Sequence, residues 1–209
     1  MRSTTTDGIQ QKLADYIGVD AKAAPTIRVI RFGDDDIEKF RYEGNLNELT
    51  VDGISNFIDQ FKAGSLKPFL KSEVIPEPNN GPVKVVVGGS WTDIVADPTK
   101  DVFVKYYAPW CGHCKTLAPI WTELGQFVEG LDDVVIAKMD STANEVRGVA
   151  VKSYPTLIWY PKNNKQGVSY TGGRELNDFK DFLNTNSAAY RDWIAKKGTQ
   201  SGSGATEEL

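Results

Sequence analysis

The sequence has few of the side chains that hold metals through sulfur or imidazole. Its 209 residues include two cysteines, Cys111 and Cys114, and one histidine, His113. A structural zinc site normally takes four such ligands, so this set is one short. Two cysteines are also too few for a small secreted domain held together by disulfides. We therefore predict neither a metal site nor a disulfide-stabilised fold.

Long apolar runs and an excess of positive charge are missing as well. No uninterrupted apolar stretch approaches the roughly 18 residues that a membrane-spanning helix needs. The first seven residues contain no apolar core, so we do not expect a secretory signal there. Acidic residues outnumber basic ones by 28 to 24, which gives a net charge of −4. This balance argues against a nucleic-acid partner, and we expect no membrane partner either.

Both cysteines and the histidine fall in one four-residue motif, Cys111-Gly112-His113-Cys114. An apolar run over 102–107 precedes the motif and is typical of a buried strand, and apolar residues at helical spacing follow it from 117 to 128. The motif therefore lies where a strand ends and a helix begins. The free N–H groups and the dipole of a helix start favour an anion, which should lower the pKa of Cys111.

This placement indicates a redox site with Cys111 as the attacking and Cys114 as the resolving cysteine. The cysteine pair is itself the redox centre, so we expect no cofactor. A purely structural disulfide is an alternative, although so short a loop adds little stability. A zinc site is a weaker alternative, for the ligand count given above.

The rest of the pattern predicts two regions separated by a proline-rich segment. Residues 1–64 are predicted to contain a helix over 8–18, a hairpin of 26–32 and 37–42, and a helix capped by Thr50. Residues 65–82, with four prolines, are predicted to be a stiff linker. Residues 83–186 form the second region, and 187–209 a helical extension over 188–197 with a disordered tail from 199.

Strands and helices alternate in the second region. The predicted strands are 83–87, 102–107, 134–140, 153–160 and 168–171, and the predicted helices are 90–95, the segment after the motif with a kink at Pro119, 144–149 and 176–183. This order predicts an α/β protein with a thioredoxin-like fold, a central mixed sheet flanked by helices. In such sheets the site lies at the carboxyl ends of the strands, where Cys111 is placed.

Four segments resemble the second catalytic domain of the protein disulfide isomerase family. They are Tyr107–Lys115, Leu117–Pro119, Ala137–Asn144 and Tyr154–Thr156. The resemblance is dense over 83–186, while residues 8–64 are similar to the C-terminal half of the family's non-catalytic, substrate-binding domain. It implies a catalytic thioredoxin-like domain preceded by a partial thioredoxin-like domain.

The resemblance implies an enzyme that forms, reduces and rearranges disulfide bonds in unfolded or misfolded proteins. It also implies the lumen of the endoplasmic reticulum, with a thiol oxidase or glutathione as redox partner. The terminal Glu208-Leu209 matches only the last two positions of a Lys-Asp-Glu-Leu retention signal. Two alternatives are a thioredoxin-type reductase of protein disulfides and a non-enzymatic chaperone or subunit that binds unfolded chains.

Further site residues come from the same comparison of motifs. We expect His113 to stabilise the Cys111 thiolate. Pro155 resembles the family's cis-proline, which frees the preceding backbone to pair with an extended substrate. Arg174 resembles a mobile arginine that lowers the pKa of the resolving cysteine. The alternatives are an inert exposed His113, a trans Pro155 and a solvated Arg174.

Lys105 departs from the family, which commonly carries a buried glutamate at this position, often paired with a lysine that matches Lys138. Here both positions are lysine, each within a nearly continuous apolar strand. Two buried ammonium groups are costly, so we expect one to be neutral or to reach water. Our hypothesis is that Lys105 lowers the pKa of Cys114 and, when neutral, accepts its proton. The alternative is a Lys105 whose ammonium lies in water.

Overall fold

The computed structural model describes residues 14, 19, 26–32 and 37–202, with side chains up to residue 198. The helix expected over 8–18 lies outside the described residues apart from position 14, and so does the connection 33–36 of the expected hairpin. The chain divides into two compact units, residues 1–71 and 72–209.

The elements are numbered here in chain order over the described part of the chain. The strands are β1 (Arg28–Phe32), β2 (Ile37–Arg41), β3 (Lys84–Val85), β4 (Asp101–Tyr107), β5 (Val134–Asp140), β6 (Thr156–Tyr160) and β7 (Val168–Ser169). The α-helices are α1 (Val51–Lys62), α2 (Trp91–Ile94), α3 (Gly112–Phe127), α4 (Leu176–Asn186) and α5 (Ala188–Gly202).

The first unit consists, over its described residues, of the β1–β2 hairpin and helix α1. The strands pair antiparallel, as the alternating sequence predicted. Thr50 caps α1 by accepting a hydrogen bond from Gly53 N at 3.1 Å, also as predicted. Phe40 of the hairpin meets the ring of Phe61 edge-on, with ring centroids 5.0 Å apart. The hairpin and the helix therefore share one small aromatic core.

The second unit is built on a five-stranded mixed sheet of order β3-β5-β4-β6-β7. Strands β3, β5 and β4 run parallel, and β6 and β7 run antiparallel to their neighbours. Six of the seven residues of β4 are buried, because this central strand is covered on both faces. The predicted thioredoxin-like fold is confirmed.

Alternate side chains of β4 enter two different cores. Phe103 lies on one face among Trp121, Trp159 and Phe179, beneath helices α3 and α4. Its ring is 4.9 Å from that of Trp121, in an edge-on contact. The opposite face holds Val102, Val104 and Tyr106, which belong to a second core. Lys105 stands two residues after Phe103 and so faces α3.

Asn144 explains why the helix predicted over 144–149 is wrong. Its side chain is buried and donates to Glu73 Oε2 at 2.7 Å and to Asp140 O at 3.0 Å. The side-chain oxygen of Asn144, Oδ1, accepts hydrogen bonds from Glu73 N and Gly88 N, at 2.9 and 3.1 Å. The side-chain amide of Asn144 thus forms hydrogen bonds with three separate segments, at Glu73, Gly88 and Asp140. Because these bonds compete with helix formation, the chain here forms a turn rather than a helix.

The proline-rich stretch is partly incorporated in the second unit, which begins at Ser72. Ser72 Oγ accepts a hydrogen bond from Gly89 N at 2.9 Å. Asn79 bonds both backbone groups of Val85, through its Oδ1 to N at 2.9 Å and its Nδ2 to O at 2.8 Å. Side-chain amides therefore hold the segment before β3 against the domain.

The C-terminal helix is longer than predicted. It runs from Ala188 to Gly202, so the disorder expected from 199 is wrong for residues 199–202. Its start is fixed by Ser187, which donates to the buried carboxylate of Asp101 at 2.6 Å and accepts from Tyr190 N at 3.1 Å. Residues 203–209 lie outside the described part.

Several strands and one helix are shorter than the sequence predicted. The strand predicted over 153–160 begins at Thr156, and β3 and β7 contain only two residues each. Helix α2 is shorter than its prediction and follows a 3₁₀ turn at Gly88–Ser90. Within the ranges given above, the helices fall short of the length and apolar character that crossing a bilayer requires.

Gly125 provides a test of how tightly α3 packs on the chain that precedes β3. A Cβ at this position would lie 2.5 Å from the carbonyl oxygen of Pro82. We expect Gly125→Ala to lower the free energy of unfolding by about 1–3 kcal/mol through overpacking, after opposing gains in helix propensity of about 1 kcal/mol. Urea denaturation measures this change.

Gly198→Ala is the matched control, because a Cβ there would meet nothing within 4 Å. It removes a glycine from an exposed helical position and should leave stability equal or higher. A Gly125→Ala protein as stable as the Gly198→Ala protein would contradict the packing argument.

Candidate active site

The cysteine pair lies at the start of helix α3, as the sequence predicted. Cys111 has extended backbone angles (φ −74°, ψ 118°) and is the N-cap of the helix. Its sulfur accepts a hydrogen bond from Cys114 N at 3.3 Å. Its own N–H donates to Ala108 O at 3.1 Å, which fixes the turn between β4 and α3. The helix start thus presents its free N–H groups to the Cys111 sulfur.

The two sulfurs differ in acidity although both are free and buried. The pKa of Cys111 is lowered, first by a hydrogen bond from the Cys114 side chain and then by the backbone N–H groups of Cys114 and His113, against the effect of burial. The pKa of Cys114 is raised, first by burial and then by its hydrogen bond to Cys111. This asymmetry agrees with an attacking Cys111 and a resolving Cys114.

Tyr154 and Trp110 flank the attacking sulfur. The Cys111 thiol donates to Tyr154 O at 3.6 Å, and the Tyr154–Pro155 peptide bond has the expected cis geometry. The ring of Trp110 is 70% exposed and meets the Tyr154 ring edge-on at 5.8 Å. An exposed aromatic side chain therefore borders the sulfur at which a substrate would react.

His113, Gly112 and Arg174 are all exposed. The backbone N–H of His113 lowers the pKa of Cys111, which is the direction that we expect of this residue. The charge of Arg174 also lowers the pKa of Cys111, whereas the resemblance implied an effect on the resolving cysteine. A Cβ at Gly112 would meet nothing within 4 Å, so packing does not demand glycine there.

Lys105 is the buried member of the lysine pair, at 4% exposure, and Lys138 is half-buried. The two are register partners on β4 and β5. Lys105 Nζ lies 5.7 Å from the centre of the Tyr107 ring and 6.0 Å from that of Trp121. Burial, then the charge of Lys138, lower the pKa of Lys105 to about 8, while Cys114 acts to raise it.

Sequence reasoning missed the carbonyl of Tyr154 as a partner of Cys111 and the exposed Trp110 as its neighbour. Their signals were their positions next to Pro155 and next to Cys111. In the described part of the chain, no three His, Cys, Asp or Glu side chains are grouped as a metal ion would require. The site therefore combines a cysteine whose ionisation is favoured with a second cysteine whose ionisation is disfavoured.

Comparison with known proteins shows which proteins this domain resembles. The family model described as Thioredoxin matches residues 82–185. The Protein disulfide-isomerase of Oryctolagus cuniculus is 43% identical over 175 residues, which are 83% of this chain and 34% of that protein. The Protein disulfide-isomerase of Gallus gallus is 39% identical over 201 residues, 95% of this chain and 36% of that protein.

The match to the Gallus gallus protein extends beyond the thioredoxin domain into the first unit. The chain spans about a third of the length of these relatives. Among solved structures, the first thioredoxin domain of mouse Protein disulfide-isomerase A4 has a TM-score of 0.45 and 26% identity, over 56% of this chain and 82% of that one. A superposition at this level carries no argument about function. Through residues 82–185 the chain belongs to the thioredoxin family, and its relatives in that family are protein disulfide isomerases.

Proposed function

We propose that this protein is a thiol–disulfide oxidoreductase and isomerase that acts on protein substrates through Cys111 and Cys114. The observation that carries the proposal is the Cys111 sulfur at the N-cap of α3, where hydrogen bonds lower its pKa. The thiolate is the nucleophile in disulfide exchange, so a cysteine whose ionisation is favoured at a helix start is suited to begin it. The pair itself supplies the two electrons.

In the reducing direction the Cys111 thiolate attacks one sulfur of a substrate disulfide. A mixed disulfide forms, and the other substrate sulfur leaves as a thiolate. Cys114 then attacks the Cys111 sulfur, which closes the Cys111–Cys114 disulfide and releases the reduced substrate. Oxidation of a substrate dithiol runs through the same steps in reverse. In isomerisation, a substrate thiolate resolves the mixed disulfide instead of Cys114.

The surface beside Cys111 suits an extended polypeptide. The Tyr154 carbonyl, 3.6 Å from the Cys111 sulfur, can accept a hydrogen bond from a substrate backbone N–H once the thiol proton is gone. The exposed Trp110 offers apolar area to side chains next to the reacting cysteine. The Tyr154 carbonyl, which precedes the cis bond to Pro155, and the Trp110 ring together form the substrate-positioning part of the site.

The proposal includes the surroundings that the resemblance implies. Residues 83–186 are the catalytic domain, 65–82 connect it to a partial non-catalytic thioredoxin-like domain at 1–64, and 187–209 extend it. The substrates are unfolded or misfolded proteins with cysteines, in the lumen of the endoplasmic reticulum. A thiol oxidase or glutathione re-oxidises the pair. The name Protein disulfide-isomerase that these relatives carry supports the type of substrate, and the other points follow from the resemblance alone.

Binding of unfolded chains by the first unit is a second candidate function. Several of its apolar side chains are exposed, including Phe32 at 73% and Val51 at 80%. Exposed apolar side chains favour contact with other apolar chains. Such binding needs no cysteine and would persist in a Cys111→Ser protein.

Refolding of a scrambled multi-disulfide protein tests the enzymatic proposal. We expect Cys111→Ser to reduce isomerisation to the uncatalysed rate, because the attacking thiolate is gone. Cys114→Ser should retain part of the activity and accumulate mixed disulfides, which non-reducing electrophoresis detects. Because the chain offers no third cysteine, equal circular dichroism spectra of the variants serve as the control. Full activity without Cys111 would overturn the proposal.

The pH dependence of Cys111 alkylation tests the electrostatics of the site. Because the pKa of Cys111 is lowered, iodoacetamide should react with it at pH values where an ordinary thiol is protonated. Arg174→Gln removes a charge that favours the thiolate, so the profile should move to higher pH.

Arg191→Gln is the matched control for this experiment. Arg191 is exposed and its guanidinium donates to the carbonyls of Asn184 and Thr185, so its removal changes the same net charge elsewhere. Its alkylation profile should coincide with that of the unaltered protein. Equal displacement in the two variants would mean that net charge, rather than Arg174 itself, acts on Cys111.

A further inference from the structure

One peptide unit in the segment before β3 lacks the hydrogen bonds that fix the residue before it. It joins Asn80 to Gly81, the one Asn-Gly pair in the sequence, and both residues are exposed and lie outside helices and strands. Among the residues that the structure describes, neither the Asn80 side-chain amide nor the Gly81 N–H has a hydrogen-bond partner. Asn79 differs, because both polar atoms of its amide are bonded to the backbone of Val85. The Asn80 amide can therefore turn toward the backbone nitrogen of Gly81.

The surroundings of this peptide unit leave room for the two groups to meet. Asn80 and Gly81 line a cavity of about 220 Å³, with Pro82 and the half-buried Lys84 also on its wall. A Cβ at Gly81 would meet only the Val83 carbonyl oxygen, at 4.0 Å. Because glycine carries no side chain, the approach to its nitrogen is unobstructed. Water reaches both residues, since each is exposed.

We propose that Asn80 is a site of spontaneous deamidation, and that its isoaspartyl product releases the edge of strand β3. The Gly81 nitrogen gives up its proton and forms a bond to the side-chain carbonyl carbon of Asn80. The bond from that carbon to the amide nitrogen then breaks, and ammonia leaves with the proton. A cyclic succinimide remains. This inference goes beyond the function proposed above and involves neither cysteine.

Water opens the succinimide in one of two ways. Cleavage between the Gly81 nitrogen and the side-chain carbonyl carbon gives an ordinary aspartate. Cleavage between the same nitrogen and the main-chain carbonyl carbon gives an isoaspartate, whose main chain runs through the former side chain. Each complete reaction consumes one water and releases one ammonia, with no change of oxidation state. Both products carry a new carboxylate, but only the isoaspartate lengthens the main chain, by one carbon–carbon bond of about 1.5 Å.

The chain has no slack for this added length, because both flanks are fixed. On one side Asn79 is bonded twice to Val85 on β3. On the other side the Pro82 carbonyl oxygen packs so closely on α3 that a Cβ on Gly125 would lie 2.5 Å from it. The two hydrogen bonds of Asn79 are the weaker anchor, since the net stabilisation by each such bond is small. We expect them to break, which exposes the backbone of Val85 at the sheet edge.

Incubation of the full folded chain at mildly alkaline pH tests the modification. Base removes the Gly81 proton, so the peptide that contains Asn80 should gain the mass difference between an amide and a carboxyl group. An isoaspartyl methyltransferase should then methylate this peptide. Gly81→Ala should lose both signals over the same time, and it should fold normally because its Cβ would meet no atom closer than 4.0 Å. An Asn80 that remains unmodified after the incubation would overturn the proposal.

Asn186 is the matched control within the same chain. It is also exposed and is followed by the small residue Ser187, but its side-chain amide donates to Phe182 O at 2.8 Å. The Ser187 nitrogen, which would have to attack, donates to Leu183 O at 2.8 Å. We expect Asn186 to remain an amide while Asn80 is converted. Equal conversion of the two residues would refute the dependence on local geometry.

Hydrogen exchange measures the release of the strand edge. The Val85 N–H should exchange about fivefold faster or more in the isoaspartyl protein, because it loses its bond to Asn79. The Val86 N–H is the control, since it donates to Lys138 O at 2.8 Å within the sheet and should keep its rate. Freshly purified Asn80→Asp carries the same charge on a chain of ordinary length, so its Val85 N–H should exchange as in the unaltered protein. Unchanged Val85 exchange in the isoaspartyl protein, or equal acceleration in Asn80→Asp, would refute the release of β3.

Discussion

The hydrogen bond from Cys114 N to the Cys111 sulfur is the interaction on which the site depends. It forms because Cys111 occupies the N-cap of α3, where the first N–H groups of the helix have no partner within the helix. The same geometry places Cys114 one turn further in, against the core. The Cys114 thiol and then the N–H groups of the helix start lower the pKa of Cys111, while burial raises the pKa of Cys114. The difference between two chemically identical residues therefore comes from where the helix begins.

The position of that helix is set by the rest of the domain. Trp121 is completely buried and donates from its indole N–H to Ala137 O on β5 at 2.9 Å, so α3 is tied to the sheet by a directional bond as well as by apolar contact. Close approach at Gly125 brings the other end of the helix against Pro82. A rigid helix keeps its N-terminal N–H groups aimed at one point, which is what a stable thiolate requires.

Local sequence patterns were sufficient to predict the strands and the helix that position the cysteines. They were insufficient where the long-range contacts of one side chain determine the local structure or its burial. The buried strands β4 and β5 and the helix start at Cys111 follow from apolar runs and from the motif itself. Asn144 could not be predicted as a turn, because its partners Glu73 and Gly88 are distant in sequence. The sequence also could not decide between Lys105 and Lys138, since both strands read as apolar and only packing under α3 buries one of them.

The burial of Lys105 carries a cost in stability that depends on pH. Its pKa falls from 10.5 to about 8, which corresponds to about 3 kcal/mol of destabilisation while the side chain is charged. Below pH 8 folded and unfolded chains both carry the proton, so the full cost applies. As the pH rises from about 8 to 10.5 the folded chain loses its proton first and the cost disappears. The buried cation is therefore least favourable at neutral pH, where its charge also opposes the burial effect on Cys114. Burial and the repulsion from Lys138 produce this cost, and the attraction between the Lys105 ammonium and the Cys114 thiolate offsets part of it.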